Sequence, residues 1–188
     1  RPQHDYFGLR YVSDAYFNLG DFAAAAAAYR KNIETLKADP KAVPPANLSG
    51  ETNYVRLREI AALRQASEFT KALELAEGFL AEAQAAAAGK FVLRQQTEKA
   101  RVLEAWAAAD PAKINAALAQ WSLIDRTLRP LRTKPVEYFE ARLGQAWCLA
   151  KQGKKDDARK LLQGTMAINP TVGGAEMKGR FEAFLKTL

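Results

Sequence analysis

Large apolar side chains recur three or four residues apart along most of this chain, which is the spacing of one face of an α-helix. Tyr6, Leu9, Val12, Tyr16 and Leu19 make the first stripe, Gly20 and Asp21 interrupt it, and Phe22, Ala25, Tyr29, Ile33 and Leu36 make a second that ends before Pro40. The pattern predicts a helical hairpin over residues 5–38. Gly20 suits the left-handed conformation that closes many helices, and Asp21 can accept bonds from the free N–H groups of the next one. Ala25 is small enough to let the two helices cross closely, with Tyr16 and Phe22 expected beside it. The alanine-rich run 23–28 adds high helix propensity.

The same alternation returns three more times. Residues 38–50 hold Pro40, Pro44, Pro45, Asn47, Ser49 and Gly50 and read as a connection, long enough to predict an extended surface segment. Asn47-Leu48-Ser49 has the form of a glycosylation acceptor, a triplet common by chance. Over 51–85, Tyr54, Leu57, Ile60 or Ala61, and Leu63 are followed by a turn at Ser67 and by Ala72, Leu75, Ala76 and Phe79. Over 90–129, Phe91, Leu93, Val102, Leu103 and Trp106 precede an Asp110-Pro111 helix start and then Ile114, Ala117, Leu118, Trp121, Ile124 and Leu128. Over 136–169, Phe139, Leu143, Ala146, Trp147 and Leu149 or Ala150 lead through Gly153 to Ala158, Leu161, Leu162, Met166 and Ile168. A last helix over 174–187 sets Met177, Phe181, Phe184, Leu185 and Leu188 against Lys178, Arg180, Glu182 and Lys186. Strand patterns are nearly absent. The expected fold is all-α, four antiparallel helix hairpins and a final helix in a single domain spanning 1–188.

Tyr16, Gly20, Asp21, Phe22, Ala25 and Tyr29, with Leu9 and Val12 in place of an earlier Trp and Leu, make the first hairpin resemble the tetratricopeptide repeat family. The resemblance is clearest there and over 139–170, where Gly153 and Ala158 keep the separation of Gly20 and Ala25. It implies a superhelical stack closed by a C-terminal capping helix, and a non-enzymatic role in binding a peptide or partner protein. The small residues Ala25, Ala72, Ala117 and Ala158 are 47, 45 and 41 apart, so the helices or connections are longer than in the roughly 34-residue family unit. In that family the first helix of each hairpin builds a concave wall. Aligned on the turn, this implies Phe7, Arg10, Asp14, Phe17 and Asn18 in the first repeat, and Tyr54, Leu57, Arg64 and Gln65 in the second. Lys99, Val102 and Trp106 follow in the third and Leu143, Trp147 and Lys151 in the fourth, with a core position equally open to Trp106 and Trp147. Rings and guanidinium groups suit an extended peptide. Of the family's carboxylate clamp only Arg10 corresponds, and Asp14 stands where the clamp needs Asn, so a chaperone-tail carboxylate is not the expected ligand.

Charge adds a rival. The net charge is +7, and residues 126–188 carry 13 basic groups against 6 acidic, which accounts for the whole excess. Arg126, Arg129, Arg132, Lys134, Lys151, Lys154, Lys155, Arg159 and Lys160 are candidates for a basic patch that binds nucleic acid or an anionic protein. A third reading is an architectural segment of a longer chain, since the sequence opens at Arg1 and not Met. The same fact leaves the compartment undecided between cytoplasm and periplasm. No apolar run reaches the ~20 residues of a membrane span. Catalysis finds little support: His4 is the lone histidine, no phosphate-binding Gly-Lys-Ser/Thr loop occurs, and carboxylates pair only as Asp156-Asp157. No cofactor or metal site is expected. Cys148, the lone cysteine, is read as a small buried hydrophobe.

Overall fold

The computed structural model describes residues 6–87 and 92–188. Among them are nine α-helices and no strand, and within each of two units every helix packs on its neighbour in the chain. The contacts divide the chain into two compact units, Arg1–Lys90 and Phe91–Leu188. His4 and Phe91 lie outside the described residues.

In the first unit α1 (Tyr6–Asn18) and α2 (Phe22–Ala38) form the hairpin that the sequence predicts. Gly20 takes φ 82°, and the Asp21 side chain accepts from the Ala24 N–H at 3.1 Å. Ala25 and Tyr29 are fully buried. The buried face of α1 follows the predicted stripe only at its start, where Tyr6 is buried and Leu9 half-buried. Tyr6 and Ser13 are buried, whereas Val12 and Tyr16 are exposed and Leu19 is 82% exposed. The reason is polar. Ser13 sits at the crossing with α2, where the Asn32 side-chain amide donates to its hydroxyl at 2.7 Å inside the core. A small residue there brings α2 close and rotates the larger apolar side chains of α1 outward. Phe17, not Tyr16, meets Phe22, edge to face at 5.3 Å.

The connection also departs from expectation. A 3-10 turn occupies Pro40–Ala42, with Asp39 accepting from the Lys41 N–H, and Val43 is fully buried. Helix α3 then runs 21 residues, Pro45–Gln65, so the segment read as extended, Asn47-Leu48-Ser49 included, is helical from Pro45 onward. Pro45 stands at the first helical position, where its missing N–H is not needed. The long α3 is what stretches the first repeat spacing. Helix α4 (Phe69–Ala86) follows a turn in which Ser67 takes φ 60°, the same left-handed conformation as Gly20. A side chain pays conformationally there. Ser67→Gly is expected to raise stability by about 0.5–1 kcal/mol, read as a shift in the urea midpoint.

The second unit holds α5 (Leu93–Ala109), α6 (Ile114–Leu128), α7 (Val136–Lys151), α8 (Lys155–Ile168) and α9 (Ala175–Leu185). Asp110 caps a 3-10 turn, Pro111–Lys113, that leads into α6. Ile114, Ala117, Trp121, Ile124 and Leu128 are buried along one face, as their spacing predicts. Gly144 of α7 lies against the Trp121 ring so closely that a Cβ on it would sit 2.3 Å from the indole nitrogen. On α8 the buried set is Ala158, Leu162 and Thr165, while Ile168, predicted to join the core, is 81% exposed. Thr165 holds the buried place by donating to the Leu161 carbonyl and accepting from Arg142 Nε. Met177 and Phe181 anchor α9.

Candidate functional site

In the first unit α1 and α3 bring rings and guanidinium groups into alternation. Arg10 Nη1 donates to both Glu51 oxygens at 2.8 Å, and the Tyr6 hydroxyl donates to Glu51 Oε2 at 3.0 Å. Asp14 Oδ1 accepts from the hydroxyls of Tyr29 and Tyr54, the latter at 2.8 Å. Arg58 donates from Nε to the Tyr29 hydroxyl at 3.0 Å, and its guanidinium carbon lies 3.8 Å from the Phe17 ring centroid. The Arg10 guanidinium lies 5.8 Å from the Phe7 ring and 5.3 Å from the Tyr54 ring. The wall therefore reads Phe7, Arg10, Tyr54, Arg58, Phe17.

Each cation on this wall faces an acid: Arg10 faces Glu51, and Arg58 Nε lies 3.8 Å from Asp14. Both cations of the wall therefore already have an acidic neighbour. What the wall offers is half-exposed ring faces, Phe7 at 40% and Tyr54 at 38%, held rigid by the network beneath them. Burial first, and then Glu51 or Asp14, raises the pKa of Tyr6 and Tyr29 well above the tyrosine range; the same causes raise Tyr54. The folded chain thus holds these protons more tightly than the unfolded chain, so stability falls as pH rises beyond about 10. Tyr6→Phe combined with Tyr29→Phe is expected to flatten that alkaline loss, measured by urea unfolding at pH 8 and at pH ~11.

The remaining wall candidates are scattered in environment. Asn18 and Gln65 are exposed at the ends of their helices, and Arg64 and Leu57 are half-buried. In the second unit Trp106 is half-buried with Lys113 Nζ 4.3 Å from its ring. Lys99 and Leu143 are also half-buried. Val102 is fully buried on α5, so its place is the core and not a groove. Trp147 and Lys151 do come together, with Lys151 Nζ 5.6 Å from the Trp147 ring, in a cleft of about 240 Å³ shared with Lys155, Ala150, Phe184, Thr187 and Leu188.

Arg58 and Glu51 were missed because turn alignment equates α1 and α3 position by position. The two helices meet through long side chains on different faces, so Arg10, Asp14 and Phe17 turn toward Glu51, Tyr54 and Arg58. The spacing of Glu51, Tyr54 and Arg58, three and then four residues, marks them as one face of a helix. The second unit uses similar chemistry. Arg101 on α5 forks onto Glu140 on α7 at 2.7 and 2.8 Å and reaches Glu98 at 3.1 Å. Burial disfavours the Arg101 charge, but Glu140 and Glu98 more than offset it and hold the cation above its ordinary range.

The basic residues do not form one stripe along α7. Arg126, Arg129, Arg132 and Lys134 lie where α6 runs into α7, and Lys151, Lys154, Lys155, Arg159 and Lys160 where α7 runs into α8. The 16 residues of α7 separate the two groups by about 24 Å. Arg129 is also paired with buried Asp125, and Arg159 with Asp156. Cys148 is fully buried, and burial, with Glu104 nearby, pushes its thiol up to about 12. Among the described residues no group of three or more His, Cys, Asp or Glu is placed to hold a metal, and no helix is long and apolar enough to cross a membrane. No family model, curated protein or solved structure matches the chain.

Proposed function

We propose that the chain is a non-enzymatic interaction module, built of tetratricopeptide-like hairpins with α9 as a cap, that holds a peptide or partner protein against the first helices of its hairpins. The observation that carries this reading is the Phe7, Arg10, Tyr54, Arg58, Phe17 wall. Aromatic and guanidinium groups provide most of the energy at protein interfaces, and preorganisation lowers the entropy lost on binding. Because the wall's acids and arginines are matched, the ligand segment it suits is apolar and hydrogen-bonding, not strongly charged. The separation of the two basic groups along α7 lends no support to the rival nucleic-acid reading.

Affinity capture from a cell lysate tests the proposal, with the intact chain beside a Phe7→Ala, Tyr54→Ala variant whose helicity is checked by circular dichroism. A protein retained by the intact chain and lost from the variant is the expected result. Nucleic acid retained equally by both forms, with no protein, would favour the basic residues of the second unit instead.

A further inference from the structure

We infer that the cleft between α7, α8 and α9 receives a carboxylate side chain of an acidic-apolar peptide, an inference that rests on the interaction-module reading and names the partner chemistry of the second unit. Trp147 and Ala150 of α7 and half-buried Phe184 of α9 supply apolar lining of the cleft. Lys151, one helical turn beyond Trp147, and Lys155, the first residue of α8, bring two ammonium groups to its rim. Both lysines are exposed, and among the described residues neither has a carboxylate within ion-pair distance. The closest acids in sequence, Asp156 and Asp157, sit in the first turn of α8 and do not line the cleft, and Asp156 is turned to Arg159.

These features select a ligand. Two unmatched cations beside ring faces favour a group that joins a negative charge to apolar surface. At about 240 Å³ the space is smaller than the roughly 300–1,000 Å³ of small-molecule sites, so it suits one or two side chains of a chain passing over it. Lys154, Arg159 and Lys160 also lie where α7 runs into α8, but none of them lines the cleft, which presents two cations and not the track that a nucleic-acid backbone needs. The contrast with the first unit is chemical: there the arginines are matched by Glu51 and Asp14, here the lysines are not.

The test titrates the full chain with acetyl-Leu-Glu-Leu-amide and with its Gln counterpart, whose blocked ends leave the Glu side chain as the one charge. The Trp147 indole N–H resonance reports occupancy. The Glu peptide is expected to bind at least about tenfold more tightly than the Gln peptide, to weaken with added salt, and to lose that preference in a Lys151→Gln, Lys155→Gln variant. Trp147→Ala, read by calorimetry because it removes the indole reporter, should weaken both peptides. Equal binding of the two peptides, or a preference that survives in the lysine variant, would overturn the inference. So would displacement of the Glu peptide by inorganic phosphate or a short single-stranded oligonucleotide at equal concentration, which would mark a general anion site. If the cleft fails while capture through Phe7 and Tyr54 persists, the cleft inference alone falls; if both fail, the interaction-module reading falls with it.

Discussion

Gly144→Ala is expected to destabilise the second unit by about 3 kcal/mol, the upper end of the cost of overpacking a core. The new Cβ would lie 2.3 to 2.6 Å from three atoms of the Trp121 ring. Trp121 cannot step aside, because it is 1% exposed and its indole N–H donates to Glu104 Oε2 at 2.7 Å. The carbonyl of Trp121 also accepts from the Gln145 amide, so the ring is held from α5 and the backbone from α7. Relief requires moving α6 away from α7 or breaking the Glu104 bond, and both expose buried surface. Trp106, Trp121 and Trp147 all belong to the second unit, so tryptophan fluorescence during urea unfolding reads this loss without interference from the first. Trp121→Phe combined with Gly144→Ala should recover part of the stability by shrinking the ring that the Cβ meets.

Arg101→Leu should cost about 2 kcal/mol. The change leaves Glu140 and Glu98, both buried, without the guanidinium that now satisfies three of their contacts. Breaking a buried pair from one side costs roughly 3–5 kcal/mol, and the partial exposure of Arg101 places this case below that range. Removing both partners differs in kind. In the Arg101→Leu, Glu140→Leu variant no unmatched Glu140 charge remains, and the loss should be smaller than the sum of the single changes by about 1–2 kcal/mol. A double-mutant cycle in urea measures that coupling. Additive losses would mean that Arg101 acts through packing of its stem alone.

Much of the helical order was legible because Gly20, Asp21, Asp110 and Pro111 carry local chemistry that fixes turns whatever surrounds them. What was not legible depended on tertiary partners. Pro44-Pro45 reads as a break, yet the second proline begins a long helix because buried Val43 anchors the segment before it. Period alone placed α1 correctly at Tyr6 but not at Val12, Tyr16 and Leu19, where a buried Ser13–Asn32 bond takes the core position instead. Of the candidate site, Phe7, Arg10, Asp14, Phe17 and Tyr54 converge in the first unit and Trp147 with Lys151 in the second. Arg58 and Glu51 escaped because the faces through which two neighbouring helices meet are set by their packing and not by alignment.

Selection of a random peptide library on the full chain, followed by calorimetry of the recovered peptides, tests the interaction-module account most directly. Peptides with Kd near 1 μM or tighter, corresponding to about −8 kcal/mol, are predicted for the intact chain, weakened at least about tenfold by Phe7→Ala with Tyr54→Ala or by Lys151→Gln with Lys155→Gln. A selection that enriches no sequence, or peptides that bind both variants as tightly as the intact chain, would contradict it.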